Sequence, residues 1–337
     1  MKNDRSMKTN IDIILSLRNQ LEDFSKKIKN LEKYDFNKFK PKNIGSLANA
    51  SCKEPKKFTF IDAGSQEIPL ATDSLYMISA LSINERGGKK FIGPYIKSTP
   101  EIIEKEGIEK EGYLRIRDVV SLIRENAIFQ LAIKEIKRKP DVIVVDGPLI
   151  IRDAFIRYGE LKSFEAFLES VKKLNDVSVK EGIPVIGFVK RPQSKFYIRK
   201  HNLPERISEL RDPVFLDMFL NKGEFSPDPP ENPMTKSFKD ISSNFYYTYF
   251  KTQKESIYPL FRIDFNEVAL KEYRCWLNWL IKNSGPLTKG IPYMLDRVDK
   301  EVKMGEILSR KLYKEIMRRV PPKLRYIYKL TWGEKIE

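Results

Sequence analysis

Two short apolar segments of this chain each run into an aspartate that is followed by small residues and a turn. Residues 58–61 (FTFI) lead into Asp62, and residues 142–145 (VIVV) lead into Asp146. An aspartate at the carboxyl end of a buried strand lies at the edge of a sheet where ligands bind. Either residue alone is equally consistent with a turn or a helix cap. Together, the two aspartates predict a metal site.

The segments between these aspartates predict how the chain brings them together. Residues 75–83 and 90–96 are strand-like on either side of a Gly-containing turn, so residues 58–96 predict an antiparallel meander. Residues 117–137 carry apolar side chains at helical spacing, and Pro140 ends that helix. The Val/Ile run that follows is typical of a central strand parallel to the first. The right-handed crossover rule then allows the two aspartates to lie side by side.

The rest of the pattern completes a known order of elements. A second helix is predicted over 160–180 and a fifth strand over 184–189, followed by a strand pair at 244–250 and 259–265 and a helix over 267–282. Three strands, a helix, a parallel strand, a helix and a strand is the ribonuclease H-like order. We therefore predict an α/β fold with a ribonuclease H-like mixed-sheet core, flanking helices, an N-terminal helix and C-terminal α+β additions.

Two regions outside this core leave alternatives open. From Ile11 to Leu31 an apolar stripe runs along an otherwise polar predicted helix. This stripe must be covered by the chain's own domain, by a second copy or by a partner. Residues 204–233 are Pro-rich, which indicates either a functional loop or a disordered linker.

The charge of the chain predicts a polyanionic partner. Its 337 residues include 62 Lys plus Arg against 46 Asp plus Glu, a net charge of +16. Nucleic acid is the expected partner because phosphate neutralisation supplies sequence-independent affinity, whereas the charged surface of a thermophile protein is nearly balanced in sign. No apolar stretch approaches the roughly 18 residues of a membrane span, and the N-terminus has no signal-peptide core. We expect a cytoplasmic protein that contacts no membrane.

Cysteine and histidine usage limits the kind of metal site. Cys52 and Cys275 are isolated, which argues against a zinc ribbon or a disulfide framework, and each is interpreted as a small apolar filler. His201 is the only histidine, and its charged neighbours predict a solvated position. A histidine-rich metal site is therefore excluded.

Six short motifs occur in the order seen in one nuclease family. They are Asp62-Ala-Gly-Ser, Asp146-Gly-Pro-Leu, the strand that ends at Lys190, Gly223-Glu-Phe-Ser-Pro, Arg262-Ile-Asp, and Gly290-Ile-Pro-Tyr followed by Asp299. Over about residues 10–310 the chain resembles the NurA nucleases, archaeal and bacterial enzymes that process DNA ends with the hexameric HerA translocase. The resemblance implies a manganese- or magnesium-dependent homodimer with 5′ to 3′ exonuclease and single-strand endonuclease activity, in DNA end resection and double-strand break repair.

The resemblance also implies a domain organisation. Residues 1–50 hold the amphipathic helix and a linker, residues 51–310 the ribonuclease H-like nuclease domain with a Pro-rich insertion at about 203–240, and residues 311–337 a basic tail. No Gly-x-x-x-x-Gly-Lys-Ser/Thr phosphate loop is present, so the motor would be a separate HerA-type hexameric ATPase. The N-terminal apolar stripe is the candidate docking surface for this ATPase or for a second copy.

Metal ligands follow from the same resemblance. Asp62 and Asp146 match the family's ligands on the first and fourth strands. Asp299 fills the place of a late His or Asp, although Asp296 lies only one helical turn away. The family's helix glutamate falls at Ile128 in an ungapped match, and Glu125, one turn earlier on the same face, is taken as the ligand.

Basic and aromatic residues are predicted to contact DNA. Lys190 would touch the scissile phosphate, and Tyr293 would orient phosphate or stack on a base; a solvated lysine and a core aromatic are the competing interpretations. The segment after the fifth strand would follow a single strand by charge and stacking, or is only a solvated loop. Its predicted contacts are Arg191, Lys195, Tyr197, Arg199 and Lys200.

A two-metal mechanism is the chemistry that this inventory supports. Metals about 4 Å apart would activate water and stabilise the leaving oxygen. Asp62 would bridge them, and Glu125, Asp146 and Asp299 would complete oxygen shells that suit Mg²⁺ or Mn²⁺. Two other functions remain open: a non-catalytic ribonuclease H-like nucleic-acid-binding subunit, and a nuclease that acts on RNA–DNA hybrids or recombination junctions.

Overall fold

A computed structural model describes residues 35–47, 52–70, 73–107, 113–151, 153–233, 238–253, 260–303 and 306–323 of the chain. Within these residues the strands are β1 (Gly45–Ser46), β2 (Phe58–Pro69), β3 (Ser74–Asn84), β4 (Lys89–Ser98), β5 (Val142–Asp146), β6 (Val185–Val189), β7 (Glu224–Glu231), β8 (Phe245–Phe250) and β9 (Phe261–Asn266). The helices are α1 (Thr99–Glu106), α2 (Tyr113–Ile136), α3 (Lys162–Glu181), α4 (Phe196–Lys200), α5 (Glu205–Ser208), α6 (Asp212–Asp217), α7 (Lys239–Ser242), α8 (Glu267–Leu270), α9 (Tyr273–Lys282), α10 (Tyr293–Val302) and α11 (Glu306–Arg319).

All of these strands belong to one mixed sheet, in the order β1-β7-β8-β9-β6-β5-β2-β3-β4. β2, β3 and β4 form the predicted antiparallel meander. β5 pairs parallel with β2 from Phe58↔Val142 to Ile61↔Val145, and β6 pairs parallel with β5. The predicted α/β architecture with a ribonuclease H-like core is therefore confirmed.

Helices cover both faces of this sheet, and strand alternation decides which side chains meet each layer. Ile61 and Val145 pack with side chains of α2 and α3 in one apolar core. Phe60 and Val144, one residue earlier on each strand, pack in a second core with side chains of α9 and α10. Successive residues of a strand point to opposite faces. The parity of a residue on β2, β5 or β6 therefore decides which helix layer it faces.

β2 is longer than its sequence pattern predicts. Asp62 does not end the strand, because β2 continues to Pro69 and pairs with β3 throughout, with Asp62 opposite Leu81. What ends at Ile61 is the pairing of β2 with β5. The segment after Asp62 holds Gly, Glu and Pro, which are depleted in strands. Pairing with β3 overrides this local preference.

The Pro-rich region is ordered over most of its length, so it is not an irregular loop. It contains α5, α6 and β7, which pairs with β1 on one side and β8 on the other. The pairing of β7 with β8 is irregular between Ser226 and Glu231, where three prolines remove backbone N–H donors. Residues 234–237 of the predicted insertion lie outside the described residues.

Two further boundaries differ from the predicted ones. The helix predicted over 267–282 is two helices, α8 and α9, separated at residues 271–272. The predicted basic tail begins inside α11, whose Tyr313 is buried against Ile68 and Leu75. The apolar stripe from Ile11 to Leu31 lies outside the described residues. In the part of the chain that is described, no helix is long and apolar enough to cross a membrane.

The interpretation of the two cysteines as isolated apolar fillers is wrong. Cys52 and Cys275 form a disulfide that joins the segment before β2 to α9, with a Cα–Cα distance of 5.2 Å. The two residues are 223 positions apart in the sequence. No local sequence pattern predicts such a pairing.

His201 is exposed as predicted, and its ring centroid lies 4.2 Å from that of Tyr197.

Candidate metal centre

Three carboxylates meet at the carboxyl ends of the parallel strands. Asp62, Asp146 and Asp299 each offer one oxygen, and these oxygens lie within 4.8 Å of one another. Asp62 lies two residues after Phe60 and Asp146 two residues after Val144, so the side chains of each pair point to the same face of the sheet. This face is covered by the helix layer that contains α10. Asp299 lies on α10 and meets them from that side.

The cluster forms part of the wall of a cleft of about 970 Å³ with a strongly charged lining. Both carboxylates and cations line it, so the cleft matches both a metal ion and an anionic substrate. Its charged lining residues are Asp62, Arg124, Glu125, Asp146, Lys190, Arg191, Lys289, Asp296, Asp299, Lys300 and Lys303.

Asp62 is the most deeply buried of the three acids. Its side-chain Oδ1 accepts the backbone N–H of Ala63 at 2.7 Å, and the residue is 6% exposed. Its pKa is raised from 3.8 to about 9, chiefly by burial and then by the charge of Asp146, while the charge of Lys190 acts to lower it. A carboxyl group this costly to ionise gains strongly from a nearby cation.

Asp146 and Asp299 show opposite pKa shifts. Burial raises the pKa of Asp146, and the ion pair with Lys190 reduces that shift without cancelling it. Burial also acts to raise the pKa of Asp299, but its hydrogen bond with Lys303, at 2.5 Å, and the charge of Lys190 together hold it below the ordinary value. The cluster is thus prepared to hold a divalent cation while being only partly ionised without one.

Lys190 lies between two of these carboxylates. It follows β6 with the parity of Phe188, so it projects to the same side as Asp62 and Asp146. Its Nζ donates to Asp146 and lies 3.6 Å from a carboxylate oxygen of Asp299. Burial acts to lower the pKa of Lys190, but these acids together raise it above the ordinary value. Lys190 therefore remains charged at the cluster.

Glu125 reaches the cleft from the opposite face of the sheet. It lies on α2, and a Cβ placed on Gly147 would come within 3.3 Å of its Oε2. Its Oε1 accepts a hydrogen bond from Arg124 at 2.7 Å, and it is not part of the three-carboxylate cluster. Burial raises its pKa, Arg124 opposes this and Asp146 adds to it. Ile128, the alternative position, is a buried apolar residue that lines the same cleft.

Only some of the residues predicted to contact DNA lie in the cleft. Lys190 and Arg191 line the cleft, whereas Lys195, Arg199, Lys200 and Tyr293 do not. Lys195 donates to the backbone carbonyl of Ser208, Lys200 pairs with Glu231 at 3.2 Å, and Arg199 is exposed. Tyr293 is 46% exposed, and its hydroxyl oxygen lies over Gly285.

Tyr197 is only 3% exposed, so its ring has no free face for a base. It packs against His201 and Phe215 in the interior of the α4 region. Its hydroxyl group donates to the side chain of Asn43 at 3.3 Å. The expectation that Tyr197 stacks on DNA is not compatible with this position.

Sequence reasoning missed several cations of the cleft. Arg124 directly precedes Glu125, and this position beside a predicted ligand is the only sequence feature that indicates its place at the edge of the sheet. Lys300 and Lys303 follow Asp296 and Asp299 at four-residue spacing and pair with them at 2.6 Å and 2.5 Å. That i, i+4 spacing is visible in the sequence and could have indicated both pairs.

Most of the chain matches one known protein family. The family model described as NurA domain matches residues 56–304. The chain belongs to the NurA family. Its match covers all three carboxylates, Lys190 and both helices that approach the cleft. A search of curated protein sequences finds no match.

Solved NurA structures share the fold. The crystal structure of the NurA nuclease from Sulfolobus solfataricus has a TM-score of 0.59 at 18% identity, covering 96% of this chain and 98% of that one. A NurA structure with manganese has a TM-score of 0.58 at 12% identity, covering 91% and 98%. A NurA structure bound to dAMP and manganese has a TM-score of 0.55 at 10% identity, covering 96% and 99%. Membership of this family supports a nuclease with a divalent metal site.

Proposed function

We propose that this NurA chain is a metal-dependent deoxyribonuclease that hydrolyses phosphodiester bonds at the three-carboxylate cluster. The observation that carries the proposal is the convergence of Asp62, Asp146 and Asp299 beside a rim of lysine and arginine. The carboxylates alone would repel a phosphodiester. A cleft of this composition becomes useful for phosphate chemistry when divalent cations reverse the local charge.

The donor set fits magnesium or manganese. All three groups of the cluster are carboxylates, which these hard cations prefer, and two of them have raised pKa values. Asp62, Asp146 and Asp299 would hold the metal. Glu125 is proposed as a further ligand, which would give up its hydrogen bond with Arg124 to bind the divalent cation. When bound, one or two divalent cations would polarise the phosphodiester and activate water.

The chain's own cations would position the substrate. Lys190 would leave Asp146 for a phosphate oxygen when a divalent cation takes its place at the carboxylates. Arg124 and Arg191 also line the cleft and would bind the flanking phosphates. Asp62, protonated near neutral pH by its raised pKa, would release its proton as metal enters.

The finer activity and the partners rest on the family resemblance. We infer 5′ to 3′ exonuclease and single-strand endonuclease activity in DNA end resection, by a cytoplasmic homodimer that works with a HerA-type hexameric ATPase. The stripe from Ile11 to Leu31 is the proposed docking surface. Replacing Leu17, Leu21 and Phe24 with serine should weaken dimerisation or ATPase binding and leave cleavage of short substrates largely intact.

The deciding experiment is cleavage of end-labelled single-stranded DNA with Mn²⁺ by the wild type, Asp62→Asn and Asp146→Asn. We expect activity to disappear in both variants while thermal unfolding shows that they are folded. Undiminished cleavage by both variants would show that the cluster is not the site of hydrolysis. Absence of cleavage by the wild type would favour a non-catalytic binding subunit. Preferential cleavage of RNA–DNA hybrids or junctions would favour a ribonuclease H-type or junction nuclease.

A further comparison tests Glu125. Glu125→Gln should lower activity far more than Glu169→Gln on α3, because Glu169 is exposed on another helix. Glu135 on α2 is not a suitable control, since its carboxylate is fully buried and pairs with Lys90 and Arg138 at 2.9 Å each. Equal and small effects of the two substitutions would mean that Glu125 only pairs with Arg124.

A further inference from the structure

A second cleft lies at the opposite end of the parallel strands. It has a volume of about 730 Å³, and its lining includes Lys57, Asp141 and Pro184, the residues just before β2, β5 and β6. The acidic cluster lies at the carboxyl ends of the same strands. Because β5 has five residues, and a strand rises about 3.3 Å per residue, the two sites are separated by about 15 Å of sheet.

Unpaired lysines dominate this second cleft, which we call the distal groove. Its lysines are Lys53, Lys56, Lys57, Lys139 and Lys271. All five are exposed, and among the described residues none of them has a carboxylate within ion-pair distance. A cluster of uncompensated ammonium groups attracts a polyanion and releases counterions when it binds one.

The acids of the distal groove do not neutralise these lysines. Asp141 accepts the backbone N–H groups of Lys56 and Lys57 at 2.7 Å and 3.0 Å, so its carboxylate holds the groove wall together. Glu54 pairs with Lys282, which lies outside the lining, at 3.1 Å. Glu272 is the remaining acid of the lining. Positive charge therefore exceeds negative charge across the groove.

The disulfide fixes the shape of the distal groove. Cys52 precedes Lys53, and Cys275 precedes Trp276, so the bond joins the segment with Lys53, Lys56 and Lys57 to the helix on the other side. The backbone of the segment that carries three of the lysines is thus held in place before any ligand arrives, which lowers the entropy cost of binding.

We propose that the distal groove binds the sugar-phosphate backbone of single-stranded nucleic acid, at a distance from the cluster where the strand is cut. Its volume is that of a site for a sizeable ligand rather than a single inorganic ion. The groove would hold a part of the strand that lies outside the acidic cleft, and so increase the affinity of long substrates over short ones.

The test compares two triple charge reversals. Lys57→Glu, Lys139→Glu and Lys271→Glu alter the groove, whereas Lys162→Glu, Lys172→Glu and Lys173→Glu alter the exposed surface of α3 by the same net charge. Binding of a fluorescent single-stranded DNA of about 16 nucleotides, the upper end of common site sizes, is measured by anisotropy in EDTA, so that no cleavage occurs.

We expect the groove variant to bind at least tenfold more weakly than the α3 variant. The slope of log K against log salt concentration should fall by about 0.7 for each phosphate group that the variant no longer neutralises. Should the charge reversal unfold the chain, the matching Lys→Gln triple gives the same comparison. Equal reductions of affinity in the groove and α3 variants, or no reduction in either, would overturn the proposal.

Competition separates nucleic acid from other polyanions. Poly-L-glutamate at equal total charge should displace the DNA poorly, and displacement as effective as by unlabelled DNA would make the groove a general acidic-protein surface. The EDTA measurement does not depend on nuclease activity. Failure of the distal groove is therefore distinguishable from failure of the proposed function.

Discussion

Asp264 accepts the backbone N–H of Leu149 at 3.0 Å, three residues after the cluster aspartate Asp146. The same oxygen accepts the N–H of Ile150 at 3.3 Å, so β9 fixes the turn that follows β5. Arg262 completes the arrangement with two hydrogen bonds to Asp264, at 2.7 Å and 3.0 Å, and both side chains are buried. The Arg262-Ile-Asp264 motif therefore has a structural role: it supports the loop behind the metal site.

Asp264→Ala should lower the free energy of unfolding by about 3–5 kcal/mol, because it leaves the buried Arg262 guanidinium without its partner. Urea unfolding measures this change. The control is Glu315→Ala, which removes an exposed pair with Arg319 and is expected to change stability by less than about 1 kcal/mol. A similar small effect of both substitutions would contradict the role assigned to Asp264.

Asp299→Asn should reduce metal-dependent cleavage roughly 100-fold or more, whereas Asp296→Asn should change it only a few-fold. Both acids lie on α10 and pair with a lysine four residues later, but only Asp299 belongs to the cluster. Initial rates over a series of Mn²⁺ concentrations measure the difference. The reverse order of effects would assign the ligand to Asp296.

Asp62→Asn should stabilise the protein in EDTA by an amount that increases with pH. The folded chain keeps the Asp62 proton up to about pH 9, whereas an ordinary value is 3.8. The folded state therefore binds more protons than the unfolded state across this window, and wild-type stability falls as pH rises through it. The variant escapes this loss, so its stability relative to the wild type increases as the pH rises through this window. Denaturant unfolding between pH 5 and pH 9 tests the trend, and a pH-independent difference would refute it.

Metal binding near neutral pH should release about one proton, because a protonated Asp62 carboxyl cannot act as a ligand until it ionises. Isothermal titration calorimetry with Mn²⁺ in buffers of different ionisation enthalpy measures this number. Asp296→Asn should behave like the wild type in this assay. A binding enthalpy that is the same in every buffer would show that Asp62 is already ionised.

Cys52→Ser should lower the free energy of unfolding by about 2–5 kcal/mol, as is typical when a native disulfide is removed. The unfolded chain gains conformational freedom when the link between residues 223 positions apart is broken. Reductant should lower the melting temperature of the wild type and leave that of Cys52→Ser unchanged. Equal responses of the two proteins would indicate that the bond contributes no stability.

Much of the site follows from strand parity, which is readable in the sequence. Asp62 and Asp146 continue two parallel apolar strands, and Lys190 continues the next one, so their meeting at one edge is predictable. Asp299 had no such signal, because α10 reaches the sheet through packing between distant parts of the chain. It was predicted from family resemblance alone.

Other errors have physical causes as well. Tyr197 lies in a basic segment, yet its ring is needed in the interior between His201 and Phe215. Charge patterning describes the surface of that segment and not the direction of each side chain. Glutamate is rarely fully buried unless it is paired, and the buried Glu135 pairs with both Lys90 and Arg138.

The length of β2 decides which part of the centre can adjust. Asp62 lies within a strand that pairs with β3 both before and after this residue, from Thr59 to Pro69. Its backbone cannot shift without opening that ladder, whereas Asp299 lies near the end of a helix and Asp146 is the last residue of β5. Asp62 is thus the fixed reference point of the centre, and the change of spacing that cations of different radius require falls to the two residues opposite it.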